Sequence, residues 1–362
     1  MTPAAITALG PRTVAAGRHI RGEMREQPDV LGSLARHVAH FAQRTGVLDA
    51  QAGGFAEVLF LAAGCSEHAA LLGRHAVQTR CAIPARVLTP ADPVHPHRPD
   101  AADERDRLVV VLSPSGAEPA LIALAAAHTG SGATLIAVTN DARSPLARSA
   151  ALCVDLAAGL ELAASPTKST TSQMLAVLAV AEGLPVSGEG ISTGLGDTPS
   201  AKALASLVAE LLADEAAADA VAARLVSARR IAVVGCGHHF PAALETARML
   251  REAAGLPVEG FSADGFRAGP VDGFDAGTTA VLLAGVADEQ VGELRARLRG
   301  LGVPLVGIGP AGPAPDAPDL AFPALGTMAE CILATVRGQQ LAVAVAVALG
   351  VDPDRPVRRS EC

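Results

Sequence analysis

Short apolar runs alternate with helical stripes along this chain, and most of the runs stop abruptly at small or hydroxylated residues. Val58–Ala63, Val109–Leu112, Thr134–Thr139 and Ala151–Leu156 each read as a buried parallel strand, and Arg86–Leu88 as a shorter one. Between and after them Ala69–Thr79, Ala120–His128 and Gln173–Gly183 read as helices. The pattern then restarts, with strands at Ile231–Val234, Thr279–Leu283 and Val303–Ile308 and helices at Pro241–Ala254, Glu289–Gly300 and Ala329–Leu349. Such alternation predicts an α/β architecture with parallel sheets. Ahead of it, residues 18–45 read as helical, with Pro28 restarting a helix at Asp29. Val30, Leu31, Leu34, Val38 and Phe41 form one apolar stripe there, which needs a surface to cover it. Leu184–Ser200 reads as a boundary loop and Ala201–Ser227 as an Ala-rich linking helical segment.

The two halves repeat each other. Gly64 aligns with Gly235 and Leu112 with Leu283 at an offset of 171 positions, and Leu135 with Leu305 at 170. The expected organisation is a helical arm at 1–45, a first domain at 46–190, a linker and helix at 191–228, a second domain at 229–350 and a tail at 351–362.

Composition narrows the picture. A chain of 362 residues suits about two domains. Half its residues are hydrophobic while Trp and Tyr are absent, so the core must be aliphatic. A net charge of -8 without aromatic platforms speaks against nucleic acid as a partner. The six cysteines form no CxxC pair, so neither a zinc knuckle nor a disulfide framework is expected; they suit reduced thiols in the cytoplasm. The first residues carry charge too early for a signal peptide. The longest apolar run, Leu341–Val351, is far shorter than the roughly 20 residues of a membrane span, so no membrane segment is expected. His95, His97 and Asp100 share a polar loop that reads as solvated rather than metal-binding. No metal and no cofactor are expected.

Candidate chemistry gathers where strands end. After Val109–Leu112 come Ser113-Pro114-Ser115-Gly116, and Pro119 then opens a helix. Spare N–H groups at the helix start and the two hydroxyls could hold an anion, although an ordinary βα turn of small residues looks the same. Gly64-Cys65-Ser66-Glu67-His68 follows the first strand, and the hydroxyl-rich loop Gly159–Thr171 leads into another helix.

In order and spacing, these pieces resemble the double SIS (sugar isomerase) domain family, which includes the isomerase half of glucosamine-6-phosphate synthase and aminosugar-phosphate deaminases. Met24-Arg25-Glu26-Gln27-Pro28 is similar to an opening EQP helix, Ala63–Ala69 to CGTSxHA, and Ser113–Gly116 to SQSG. Ala164–Lys168 resembles VASTK, Leu244–Glu252 LEGALKLKE, Gly269-Pro270 the end of ELKHGP, and Asp352–Pro356 the start of the tail. The resemblance implies two tandem SIS domains, each a parallel sheet flanked by helices in a flavodoxin-like three-layer sandwich. No amidotransferase domain or N-terminal Cys nucleophile stands ahead of the arm, so glutamine-dependent amination by this chain alone is not expected.

The resemblance also implies roles. Cys65, Ser66, Ser113, Pro114, Ser115, Glu118 and Thr167 fall at sugar-phosphate-binding positions, and Lys168 is retained as a group that could hold an anion. Cys65 stands for Thr, Pro114 for Gln, and Glu118 for Ser or Thr. A carboxylate about 4 Å from a phosphate charge costs about 4 kcal/mol at an effective dielectric near 20. Glu118 is therefore expected to point away, as a helix cap, paired with Arg148 or solvated in the first turn; otherwise the ligand carries no plain phosphate. Glu252 matches the catalytic carboxylate that moves a proton between adjacent carbons, against the plainer reading of a surface Glu paired with Arg248 at i,i+4. The family's ring-opening His falls at Ala268, its helix Lys at Met249 and its tail Lys at Glu361. His238 and His239 could substitute as acid/base groups, or form a structural pair at a helix start. The expectation is an aldose–ketose isomerase or aminosugar deaminase acting on a sugar phosphate. The alternatives are a non-catalytic sugar-phosphate sensor and a biosynthetic isomerase of a non-phosphorylated sugar derivative. The expected partner beyond the sugar is a second copy of the chain, as a homodimer covering the arm's stripe near the site.

Overall fold

The computed structural model describes residues 16–92, 104–187, 192–195, 198–285, 289–312 and 317–355. In chain order the first half carries α1 (Arg18–Ala35), α2 (Val38–Ala52), β1 (Glu57–Ala62), α3 (Cys65–Ala76), β2 (Ala85–Leu88), β3 (Arg107–Leu112), α4 (Pro119–Thr129), β4 (Thr134–Thr139), α5 (Pro145–Ser149), β5 (Leu152–Asp155) and α6 (Lys168–Glu182). Helices α7 (Thr198–Ala213) and α8 (Ala216–Val226) follow. The second half carries β6 (Ile231–Gly235), α9 (Phe240–Ala254), β7 (Val258–Ser262), α10 (Ala263–Arg267), β8 (Thr279–Leu283), α11 (Glu289–Gly300), β9 (Leu305–Pro310), β10 (Leu320–Phe322) and α12 (Glu330–Ala348).

Each half is one all-parallel five-stranded sheet, ordered β2-β1-β3-β4-β5 and β7-β6-β8-β9-β10. Taken within its own half, each order is 2-1-3-4-5, the flavodoxin-like arrangement, so the duplication read from the sequence extends to topology. Strand order reverses between β1 and β3, and again between β6 and β8. Ligands of such sheets sit beyond the strand ends at that reversal. The central strands are buried on both faces, which is why they read as unbroken apolar runs.

Pro28 does not break the arm, contrary to expectation: α1 runs through it, and the interruption falls at Arg36–His37. Proline leaves the carbonyl four residues earlier without its helical donor. Here the Gln27 side-chain amide takes over, donating to the Met24 carbonyl at 3.2 Å. The same side chain receives the Thr171 hydroxyl at 2.8 Å and donates to Gln339 Oε1 at 2.8 Å, joining α1, α6 and α12 through buried polar contacts. The apolar stripe of the arm is buried, but by α6 and α7 of its own chain. It therefore gives no reason for a second subunit. The linking segment is two helices rather than one, parted at Asp214–Glu215. Arg337 holds the Asp214 carbonyl and carboxylate there, at 3.2 and 3.1 Å.

Helix α12 is long and apolar enough to cross a membrane by length and composition, yet it lies buried against α9, α8 and α7 as a core helix. Helix α3 packs against both α6 and α9, so the halves meet along α3 and α9. The five described cysteines, Cys65, Cys81, Cys153, Cys236 and Cys331, are free thiols.

Candidate functional site

Two turns flank the reversal in the first sheet. Gly64 ends β1 in the left-handed region at φ 62° and caps α3, with Glu67 Oε1 accepting its N–H at 2.9 Å. Cys65 and buried Ser66 open that helix. The register pairs Ala62 with Leu112, so Ser113–Gly116 stands beside this turn across the crevice. Ser113 Oγ accepts the Gly116 N–H at 3.1 Å and lies 3.5 Å from the exposed Ser115 hydroxyl. Gly116 is required here: its φ is 57°, and a Cβ would come 2.1 Å from Ser144 Oγ and 2.7 Å from Thr139 Oγ1. Gly116→Ala is therefore expected to cost about 2–4 kcal/mol, from the left-handed backbone plus overpacking. A denaturant midpoint equal to wild type would contradict this turn geometry.

Glu118 takes the N-cap position of α4, where its carbonyl accepts the Ile122 N–H at 3.0 Å. Its side chain makes no cap bond and does not pair with Arg148, which donates instead to the Arg143 carbonyl. Of the three expected arrangements, the solvated one is seen. Thr167 is fully buried at the start of α6, and its hydroxyl lacks a hydrogen-bond partner. The N–H groups of Thr167 and Lys168 donate to Glu161 Oε1 at 2.8 and 2.9 Å, and Ser169 Oγ donates to Oε2. The chain's own carboxylate thus occupies this helix N-terminus. Lys168, expected to hold an anion, is only 2% exposed, with Nζ 2.5 Å from Glu26 Oε2. The EQP segment therefore supplies both the lysine's partner and the amide that bridges Pro28.

Across the crevice stands α9. Arg248 donates Nε to Glu245 Oε2 at 3.0 Å and Nη2 to Oε1 at 2.5 Å, and His68 of α3 closes on Oε2 at 2.7 Å. Nη1 of Arg248 pairs with Glu252, and Nη2 reaches the Pro166 carbonyl at 3.3 Å. Ser165 Oγ donates to Glu252 Oε2 at 2.9 Å. Glu252 does pair with Arg248 at i,i+4. The pair is no surface ornament, however, because Arg248 is 7% exposed and the carboxylate touches the first half's loop. Met249, where the family has Lys, is core; the cation stands one position earlier. Burial alone would raise the Glu245 pKa, but the Arg248 charge and hydrogen bonds, with His68, hold it near 2. Burial and the Glu245 charge push the Cys65 thiol to about 11, so Cys65 is a neutral thiol beside the Glu245–Arg248 pair.

A buried histidine is expected to make the fold less stable in acid. Burial, then the Arg74 charge, lowers the His75 pKa to about 4. His75 stays neutral when folded and binds a proton below about pH 6.5 when unfolded. Its contribution to stability is complete above pH 6.5 and falls by up to about 1.4 kcal/mol per pH unit towards pH 4. His75→Gln is expected to flatten the fall in melting temperature between pH 7 and 4.5. An equally steep profile would contradict this origin.

His238 and His239 stand at the opposite end of α9 from Glu252. Glu252 lies thirteen positions beyond His239, about 20 Å of helix. They cannot share one small substrate with Glu252, so the geometry does not support the acid/base role considered for them. Their neighbour is Glu330 at the start of α12, which sequence reasoning missed because it lies far along the chain. Sequence reasoning also missed the Glu245–Arg248–His68 cluster, whose signal was Arg248 standing three residues after Glu245 on one helix face. Ala268 is exposed at the C-cap of α10. His95, His97, Asp100, Glu361 and Cys362 lie outside the described residues.

The scaffold is a duplicated flavodoxin-like sheet with hydroxyls at its first reversal and, on the second half, a carboxylate bonded to the first half's Ser165. The chain belongs to the SIS domain family, whose model matches residues 56–183 and 224–349. It is 30% identical over 289 residues to the glutamine–fructose-6-phosphate aminotransferase of Acidithiobacillus ferridurans, covering 78% of this chain and 46% of that protein. The chain spans about half the length of the curated relatives it matches. Among solved structures, the glucosamine-6-phosphate deaminase of Thermotoga maritima matches with a TM-score of 0.69 at 20% identity, over 93% of this chain and 96% of that one. The tagatose-6-phosphate ketose/aldose isomerase of Escherichia coli matches with a TM-score of 0.74 at 17% identity, over 93% and 95%. These likenesses show the fold.

Proposed function

We propose that this chain binds a sugar phosphate at the first sheet's reversal and moves a proton between its first two carbons, as an isomerase or aminosugar-phosphate deaminase, with Glu252 as the proton carrier. One observation carries the reading: Glu252, from the second half, meets the hydroxyl loop of the first, with Ser165 Oγ at 2.9 Å. Ser66, Ser113 and Ser115 are the donors for the phosphate, and Ser165 and Arg248 fix the carboxylate. On open-chain glucosamine 6-phosphate, Glu252 takes the C2 proton, the C–H electron pair forms the C1–C2 double bond, and the C1=O π pair moves onto O1, which takes a proton from water. Return of the proton to C1 draws the nitrogen lone pair into a C2=N bond as an N–H proton passes to water, and addition of water to this imine expels ammonia and leaves fructose 6-phosphate. With Ala268 where the family has its ring-opening His, the substrate that suits this chain arrives open or in the keto form.

Ala268 and Met249 also favour a second reading, a sensor that binds the same ligand without turnover. Incubation with glucosamine 6-phosphate separates the two. Ammonia and fructose 6-phosphate in equal amounts support the enzyme. A rise in melting temperature with fructose 6-phosphate but without product supports the sensor. Stronger stabilisation by a non-phosphorylated sugar would overturn phosphate as the anchor.

The same reading includes a homodimer. Its support is Leu160 and Leu162, 75% and 61% exposed on the loop that leads to Ser165, where a second copy would cover them. Light scattering at monomer mass across micromolar concentrations would contradict it.

A further inference from the structure

We infer that His238, His239 and Glu330 form a binding site for one divalent transition-metal ion, zinc by the nature of its donors, at the strand-order reversal of the second sheet. The observations concern what these side chains fail to do. His238 Nε2 and His239 Nε2 lie 3.7 and 3.6 Å from the same oxygen, Glu330 Oε2, too far for hydrogen bonds. Both nitrogens are buried and have no hydrogen-bond partner. His239 is 1% exposed and Glu330 3%, and burying two imidazole nitrogens without partners costs about 1–3 kcal/mol each. Three ligand atoms, one from each residue, lie within 4.8 Å of one another. Ligands about 2.1 Å from a tetrahedral zinc stand about 3.4 Å apart, close to the two measured separations.

The surroundings hold the three groups in this arrangement. Glu330 Oε1 accepts the N–H groups of Leu325 and Gly326, each at 2.7 Å, which fixes the carboxylate and leaves Oε2 to face the histidines. His239 stacks on Phe322 at 6.4 Å and on His238 at 4.2 Å between ring centroids. Two imidazoles and one carboxylate form a donor set typical of zinc with an open fourth position. The part-exposed His238 is the side from which an ion and its water would enter. The site follows β6 through the Cys236–Gly237 turn, and Gly285, just after β8, places no side chain over it: a Cβ there would stand 3.9 Å from His239 Cε1. The second half would thus use its own sheet reversal for a cation, where the first half presents hydroxyls.

The test uses the full chain, dialysed against chelator and then titrated with zinc by calorimetry, and with cobalt by visible absorption. One ion per chain, a tetrahedral cobalt spectrum without a thiolate charge-transfer band, and at least a 100-fold weaker affinity in both His238→Ala and Glu330→Gln would support the site. Absence of saturable binding, a thiolate band, or unchanged affinity in either variant would overturn it. The cobalt spectrum of the unmutated chain decides the ligand type even if a variant does not fold.

Discussion

Glu252→Gln is expected to reduce turnover by about 10²- to 10⁴-fold, the usual contribution of a positioned general base, while leaving ligand binding nearly intact. Glutamine fills the same volume and can still accept the Ser165 hydroxyl that holds Glu252 at 2.9 Å. What it cannot do is take a proton from carbon. The proposed phosphate donors, Ser66, Ser113 and Ser115, belong to the other half and are untouched. The fall should therefore appear in kcat, with fructose 6-phosphate still raising the melting temperature of the variant. Loss of binding together with turnover would make Glu252 a binding residue. Full turnover would remove it from the reaction.

Arg248→Ala is expected to destabilise the chain by about 3–5 kcal/mol, the cost of leaving a buried charge without its partner. Glu245 is fully buried and held near pKa 2 chiefly by the Arg248 charge acting against burial. Without the guanidinium, only His68 faces it. At about 2–4 °C per kcal/mol for a large domain, the melting temperature should fall by roughly 10 °C. The double variant Arg248→Ala/Glu245→Gln should recover part of the loss, since the stranded charge is gone. A single-variant loss below about 1 kcal/mol, or no recovery in the double, would mean the cluster does not bind the halves together electrostatically.

The central strands could be read because a parallel sheet covered on both faces writes itself as uninterrupted Val, Leu and Ile. Strands β7 and β10 could not: they are edges, one carrying Glu259 and Gly260 and the other only three residues long. The continuity of α1 was hidden because the group that compensates Pro28 is the side chain of Gln27, a contact no local rule includes. Site legibility divides along the same line. Ser113–Gly116 and Gly64–Ser66 are local to one turn each, and their place after β3 and β1 could be read directly. The roles of Ser165, Arg248 and Glu245 depend on α3 and α9 meeting across the halves, and the link between Glu330 and the His pair on α12 reaching the start of α9. Lys168 shows the converse, a basic residue in a matching motif whose ion pair with Glu26 could not be read from its own segment.

The most direct measurement is solvent deuterium incorporation, followed by proton NMR of fructose 6-phosphate and glucosamine 6-phosphate incubated with the chain in D₂O. Wild type is expected to wash deuterium into C1 of the ketose and C2 of the aminosugar, and Glu252→Gln to leave both protons in place while both sugars still bind. Equal exchange by wild type and Glu252→Gln, or bound sugar with no exchange by either, would contradict proton transfer by Glu252 to a sugar gripped by the first half.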